Sequence, residues 1–297
     1  EAGELALIVT EAASNQIKHA GGGDIVLRDL SKEGAPFIEV ISIDSGTGME
    51  NVARCFADGY STAGSQGTGL GAISRLSSFH DLYSQVGKGT ILVAHVGRQT
   101  AETHFEMGAL TLPYPGEDVC GDTWDYHMSG DRLRIIVADG LGHGLMAAQA
   151  SVAAVSVIHD DGFKDPVSVV AEAHLRLKAT RGAAIGVVDI DRAAHTVMFS
   201  GVGNVAGSVV TEEGGRRQMI SMNGTLGHEL RGVRQFEYPW PSGALIILHS
   251  DGLGTHWSFG KYPGLMRHHC SVIAGVLFRD FRRLRDDATV VVVLERP

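Results

Sequence analysis

Cysteine is scarce in this sequence: three residues in 297, Cys55, Cys120 and Cys270, far apart and odd in number. They form no paired metal-ligand spacing and no disulfide framework, so a reduced, cytoplasmic setting is expected. Each thiol reads as a small buried or half-buried side chain. Positive charge is also short, with 25 Lys and Arg against 34 Asp and Glu, a net charge of -9. No basic run stands out as an arm or a membrane patch, which argues against nucleic acid or a membrane surface as partner. Long apolar runs are missing too. The most apolar segments, around Ala244–Leu248 and Val290–Leu294, are strand-sized, whereas a helix crossing a bilayer needs about 20 residues. No signal-peptide pattern opens the sequence, and there are no heptads and no low-complexity tracts.

What remains is an ordinary globular composition, 44% hydrophobic and 20% charged, long enough for one large domain or two ordinary ones. Residues 1–96 open on a helical pattern over Gly3–Ala20, with Leu5, Ile8, Val9, Ala12 and Ile17 near one face. Strands are expected at Ile25–Leu30, Phe37–Ile43 and Thr90–Val96, and a helix over Arg75–Phe79. Residues 97–106 are polar and unpatterned and read as a linker. Residues 107–297 read as short strands with turns between them, plus helices at Leu145–His159 and Val272–Arg283.

One phrase occurs twice in the second region: IIVADGLG ending at Gly142 and ILHSDGLG ending at Gly254. In each, an apolar strand delivers an Asp at its end and a glycine lets the chain turn sharply after it. Asp122 follows Gly121 just before an expected strand, and the pair Asp286 and Asp287 precedes the last one. A single Asp at a strand end is usually a turn or cap residue. Four such positions in one region point instead to oxygen ligands for hard cations such as Mg²⁺ or Mn²⁺.

The order Gly-Asp, Asp-Gly-Leu-Gly-His-Gly, Gly-Val-Gly-Asn, Ser-Asp-Gly-Leu, Asp-Asp-Ala-Thr is similar to the SpoIIE/RsbX branch of the metal-dependent PPM protein phosphatases. Thr180–Ala184 and Gly224–Gly227 resemble the RsbX-type members in particular. The resemblance implies an α-β-β-α sandwich over residues 107–297 with two Mn²⁺ or Mg²⁺ at one end. Asp139 would bridge both cations and Gly140 would add its carbonyl. Asp122 would complete one site, and Asp251 with Asp286 the other, Asp286 being preferred over Asp287. The cations would acidify a shared water for in-line attack on phosphoserine or phosphothreonine. His143 offers a proton for the leaving oxygen, although a supporting or surface role is the commoner one for such a histidine. Asp125 reads as a candidate outer-sphere group, Asn204 as a turn residue, and His268 and His269 as unpaired with any common ligand.

In the first region Glu11 and Asn15 lie four apart on one helix face, so both reach one ligand. Asp44-Ser45-Gly46-Thr47-Gly48 follows a strand, and Gly67-Thr68-Gly69-Leu70-Gly71 leads into a helix whose amides favour phosphate. This is neither a P-loop nor a good Rossmann fingerprint. Together the motifs resemble the GHKL ATPases and, through Asp58–Thr62 and Gly87–Thr90, the anti-sigma-type serine kinases of the RsbT kind. The resemblance implies a GHKL (Bergerat) α/β sandwich that binds ATP with Mg²⁺. Asn15 would be the Mg²⁺ ligand, Glu11 the general base, and Asp44 the acceptor for the adenine amino group. Gly46 and Gly48 would shape the adenine pocket, Gly67, Gly69 and Gly71 would cover the phosphates, and Thr90 would line the site. Family members carry a strand and a helix ahead of the Glu11/Asn15 helix, which here opens the sequence.

The combined expectation is a phosphatase acting on a STAS-domain phosphoprotein within a partner-switching circuit, with a sigma-factor regulator as a further partner, fused to a serine kinase-like domain. The alternative is a non-catalytic, nucleotide-dependent binding or gating module joined to the same phosphatase.

Overall fold

The apolar periodicity of the opening segment becomes helix α1 (Ala2–Ala20), with Ile8, Ala12 and Gln16 buried at four-residue intervals. Gly21 ends it in a left-handed conformation, φ 73°, as glycine can without a Cβ clash. The computed structural model describes residues 1–31, 35–55, 69–98, 103–159 and 164–296. After α1 come β1 (Asp24–Asp29), β2 (Phe37–Ile43), the one-turn α2 (Val52–Cys55), α3 (Gly69–Leu76), β3 (Phe79–Gln85) and β4 (Gly89–Gly97). The strands form one antiparallel sheet in the order β1-β2-β4-β3. Val40, Leu82, Leu92 and Ala94 pack on one face against Ile8, Ala12 and Ile73. Residues beyond Leu76 leave the helix expected over Arg75–Phe79, because Phe79 starts β3, paired with β4 from Phe79↔His95 onward.

Two compact units emerge: Glu1–Thr103 with Phe259–Asp280, and His104–Ser258 with Phe281–Pro297. The sequence reading gave residues 259–280 to the second domain, yet they belong to the first unit. The reason lies on the second face of the four-stranded sheet. There Glu39, Ile91 and His95 meet Ser271, Gly275 and His269, at the start and middle of the helix Cys270–Phe281 (α6). Glu39 is fully buried. Its Oε1 accepts from Ser271 Oγ at 2.6 Å and from His95 Nε2 at 3.0 Å, and Arg28 pairs with Oε2 at 2.9 Å. Burial alone would raise this carboxyl, but Arg28 and the two hydrogen bonds outweigh it and hold the pKa down at about 2. Asp81 takes the His269 N–H at 2.7 Å and His268 Nδ1 at 2.8 Å. Both histidines therefore meet at Asp81, while their rings part, His268 against Tyr83 and His269 against Phe79 and His95. The expected linker also shrinks: Gly97 ends β4, and Phe105 starts a strand that the sequence did not reveal.

The second unit contains β5 (Phe105–Leu112), β6 (Asp122–Ser129), β7 (Arg132–Gly140), α4 (Leu145–Val155), α5 (Pro166–Arg176), β8 (Ala183–Asp191), β9 (Thr196–Val202) and β10 (Ala206–Val210). The short strands β11 (Arg216–Gln218), β12 (Ser221–Met222), β13 (Gly224–Thr225), β14 (Glu229–Leu230) and β15 (Phe236–Pro239) follow, then β16 (Leu245–His249) and β17 (Ala288–Glu295). One sheet runs β11-β10-β16-β17-β5 and the other β12-β9-β8-β7-β6, with β15 on β9. Leu133, Ile135 and Val137 of β7 point at Ile246, Leu248, Val291 and Val293 of the facing sheet. Ile136 and Ala138 point the other way, onto Ala150 and Ala154 of α4 and Val169 and Ala173 of α5. Such strict alternation is the pleat of a strand buried on both faces. These layers, helix on sheet on sheet, make up the described part of this unit. The remaining helix of the region, α6, groups with the first.

Candidate active site

The alternation along β7 carries directly into the site. Leu133, Ile135 and Val137 face the sandwich interior, so Asp139, two residues further on, opens into the same space at the end of the sheets. Asp122 stands directly opposite it in the ladder, as the pair Asp122↔Asp139. From the facing sheet, Val293 and Val291 of β17 point inward, and the same two-residue period brings Asp287 to the mouth. Asp251 enters at the end of β16.

Like charges facing each other across a ladder are unfavourable, and these are deeply placed. Asp122 and Asp287 are 3% and 2% exposed. Asp122 Oδ2, Asp139 Oδ2 and Asp287 Oδ2 are buried and accept no hydrogen bond. Burial first, then the charges of Asp122, Asp251, Asp286 and Asp287, raise the Asp139 carboxyl to about 8. Burial also leads at Asp122, opposed by a Ser250 hydrogen bond and reinforced by Asp287, Asp286 and Asp251, and its pKa stands at about 7. Asp286 is raised as well, by burial and then by Asp251. Buried oxygens without donors, on carboxyls that repel one another, are what a site for hard cations looks like before the cations are counted. The donor set therefore fits divalent metal.

The surroundings hold the acids in place. The Tyr114 N–H donates to Asp287 Oδ1 at 2.8 Å. Asn204 Nδ2 donates to Asp251 Oδ2 at 2.6 Å, so this residue of the Gly-Val-Gly-Asn phrase, read from sequence as a turn residue, orients an acid of the cluster. The phrase itself was the available signal. Gly121, Gly140 and Gly252 permit close approach. A Cβ on Gly121 would lie 2.5 Å from Asp287 Oδ2, and one on Gly140 or Gly252 would overlap the main chain of Ala147 or Asp287. His143 Nδ1 lies 2.6 Å from Glu117 Oε1, and its ring stacks on Tyr114 at 4.9 Å. Sequence pattern gave no sign of Glu117, which lies 26 residues from its partner. Asp125 pairs with His159 Nε2 at 2.7 Å and not with the cluster.

In the first unit the nucleotide candidates fall into two groups. Glu11 and Asn15 of α1 converge on the first residue of α3, where a Cβ on Gly69 would lie 2.8 Å from Glu11 Oε2 and 3.5 Å from Asn15 Oδ1. Asp44 Oδ1 accepts from the N–H groups of Gly46 at 2.8 Å and Thr90 at 3.2 Å, leaving Oδ2 free of both. Gly48 takes a left-handed φ of 71°, and Gly46 packs on the carbonyl of His19. Gly71 is buried within α3. Gly67 and the Asp58–Thr62 stretch lie outside the described residues.

The sandwich has the fold of the PPM-type serine/threonine protein phosphatases. The chain belongs to the Stage II sporulation protein E (SpoIIE) family, whose model matches residues 129–294. It is 25% identical over 152 residues to the phosphoserine phosphatase RsbX of Bacillus subtilis, covering 51% of this chain and 76% of that protein. It is also 33% identical over 86 residues to the serine/threonine-protein kinase RsbT of the same organism, covering 29% of this chain and 65% of that one. Among solved structures, one from a study of the bacterial stressosome aligns with TM-score 0.60 and 24% identity, over 64% of this chain and all of its own. RsbX in complex with magnesium aligns with TM-score 0.56 and 21% identity, over 66% of this chain and 98% of its own. No described helix is long and apolar enough to cross a membrane.

Proposed function

We propose that the protein dephosphorylates serine or threonine on a STAS-domain partner in a partner-switching stress or sigma-factor circuit, and that the same chain carries an ATP-binding, serine kinase-like domain. The observation that supports the first part most strongly is that Asp122, Asp139 and Asp287 each carry a buried carboxylate oxygen without a hydrogen bond, with Asp122 and Asp139 both raised by burial and by the neighbouring acids. Asp122, Asp139, Asp251, Asp286 and Asp287, with the carbonyl of Gly140, would hold the two cations. Bound Mn²⁺ or Mg²⁺ supplies the positive charge that acidifies water and offsets charge on phosphoryl oxygens. The chain's own groups do the rest. Asn204 and the Tyr114 N–H keep Asp251 and Asp287 aimed inward. Glu117 holds the His143 Nδ1 side, which leaves Nε2 to hand a proton to the departing serine or threonine oxygen. The name of one relative, the phosphoserine phosphatase RsbX, supports a protein phosphosite as substrate, and the study of the bacterial stressosome that supplied one similar structure supports the circuit. The acidic chain suits such a partner better than nucleic acid. Phosphate release from a phosphorylated STAS-domain protein with Mn²⁺ tests this reading. Asp139→Asn combined with Asp251→Asn is expected to abolish it, and unchanged release would sink it.

For the first unit, ATP with Mg²⁺ would seat its adenine at Asp44, Gly46, Gly48 and Thr90. Its phosphates would lie at the start of α3, near Asn15 as Mg²⁺ ligand and Glu11 as base. The convergence of Glu11 and Asn15 on Gly69 and the similarity to RsbT support this. A binding-only module is the second reading. Asp44 is held by the N–H groups of Gly46 and Thr90, and seating adenine there calls for no base. Glu11→Ala separates the two: loss of phosphotransfer with ATP binding kept means a kinase, and no transfer by the wild type means a nucleotide-dependent docking module.

A further inference from the structure

The acid cluster raises a charge problem that the residues so far named do not solve. Five carboxylates, Asp122, Asp139, Asp251, Asp286 and Asp287, against two divalent cations still leave the mouth with a negative charge. A phosphorylated side chain arrives with close to two more. A fixed cation at the rim would favour phosphate strongly in such a place.

One arginine is held there by its own backbone. Arg181 lies on the loop between the short turn after α5 and the start of β8. Its carbonyl accepts from His228 Nε2 at 2.8 Å. The Gly182 N–H binds Thr180 Oγ1 at 3.0 Å, and the Gly182 carbonyl accepts the Leu141 N–H at 3.0 Å. The last bond ties this loop to the Asp-Gly-Leu-Gly loop itself. Gly182 has a φ of 84°, and a side chain on it would strike the Leu226 carbonyl, so the turn that places Arg181 depends on glycine.

The guanidinium lies against the Asp-Gly-Leu-Gly loop that carries Asp139. Arg181 Nη1 lies 3.3 Å from where a Cβ of Gly142 would stand. On the other side, the Gly142 carbonyl lies 3.3 Å from the Cβ position of Gly121, the same position that is 2.5 Å from Asp287 Oδ2. Gly142 thus lies between Arg181 and Gly121, and Gly121 in turn abuts Asp287. The side chain is exposed, and among the described residues no carboxylate pairs with it.

We propose that Arg181 is the phosphate-recognition residue of this site, its guanidinium fork taking the non-reacting oxygens of the substrate phosphoryl group. This rests on the phosphatase reading given above. The test uses the full chain loaded with Mn²⁺, inorganic phosphate as the probe, and calorimetry as the readout, alongside kcat and KM on a phosphoserine protein. Arg181→Ala is expected to weaken phosphate binding by about 10- to 100-fold, the worth of a hydrogen bond to a charged group. Mn²⁺ affinity should stay unchanged and KM should rise. Arg181→Lys is expected to recover part of the loss, because it restores the charge without the fork. Phosphate affinity equal to wild type in Arg181→Ala overturns the proposal, as does a loss of Mn²⁺ affinity in parallel, which would make Arg181 merely structural. If the wild type releases phosphate from the phosphoprotein while Arg181→Ala binds phosphate normally, this proposal alone fails. If the wild type releases none and binds no phosphate, the phosphatase reading falls and this proposal with it.

Discussion

Asp122 and Asp139 stand opposite each other on neighbouring strands, with carboxyl pKa values near 7 and 8. Both values lie above that of an unfolded chain, so between about pH 4 and pH 8 the folded protein holds protons that the unfolded chain has released. Without divalent cation, stability is greatest at the acidic end of that window and falls as pH rises through it. A melting series in chelator is expected to show this decline, and added Mn²⁺ to remove it. Asp139→Asn, which deletes one of the repelling charges, is expected to stabilise the metal-free protein at pH 8 by about 1–2 kcal/mol while destroying phosphate release. A variant that melts like wild type across the series would contradict the repulsion. Asn204→Ala belongs to the same scale. It frees Asp251 Oδ2 from its 2.6 Å donor, and Mn²⁺ titration should show affinity down about tenfold, the usual range for an outer partner of a metal ligand.

Elements are joined here by buried polar groups as much as by apolar ones. Glu39 links β1, β2 and β4 to the start of α6 through Arg28, His95 and Ser271. Removing the carboxylate as Glu39→Ala takes away the charge that Arg28 pairs with. Urea unfolding should report a loss of about 3–5 kcal/mol, with hydrogen exchange quickened first at residues 269–275. A loss below 1 kcal/mol, to use the scale of an exposed ion pair, about 0–1 kcal/mol, would mean that α6 docks by apolar packing alone. Gly252 serves a comparable joint between β16 and β17, since a Cβ there would overlap the Asp287 main chain. Gly252→Ala should displace Asp287 and cost Mn²⁺ affinity by calorimetry with little change in circular dichroism.

At the level of the molecule, the chain divides into two compact units, one holding the acid cluster and the other the Glu11 and Asn15 pair. ATP with Mg²⁺ at a hundred times its dissociation constant is expected to stabilise the fold by about 2.7 kcal/mol, seen as a raised melting temperature, and Asn15→Ala to abolish the rise. Much of this was legible in the sequence. The repeated Asp-Gly-Leu-Gly phrase and the Glu11/Asn15 spacing are local, because strand pleat and helix turn fix which residues share a face within a few positions. They pointed to the acids Asp139 and Asp251 and to the nucleotide candidates Glu11 and Asn15. Tertiary structure alone decided the rest. Tyr114 reaches Asp287 across 173 residues, and Ser271 reaches Glu39 across 232. No periodicity records which remote strand or loop comes alongside. That is why Glu117, the orienting role of Asn204, the rim position of Arg181 and the allegiance of residues 259–280 to the first unit appear only when the sheets have assembled.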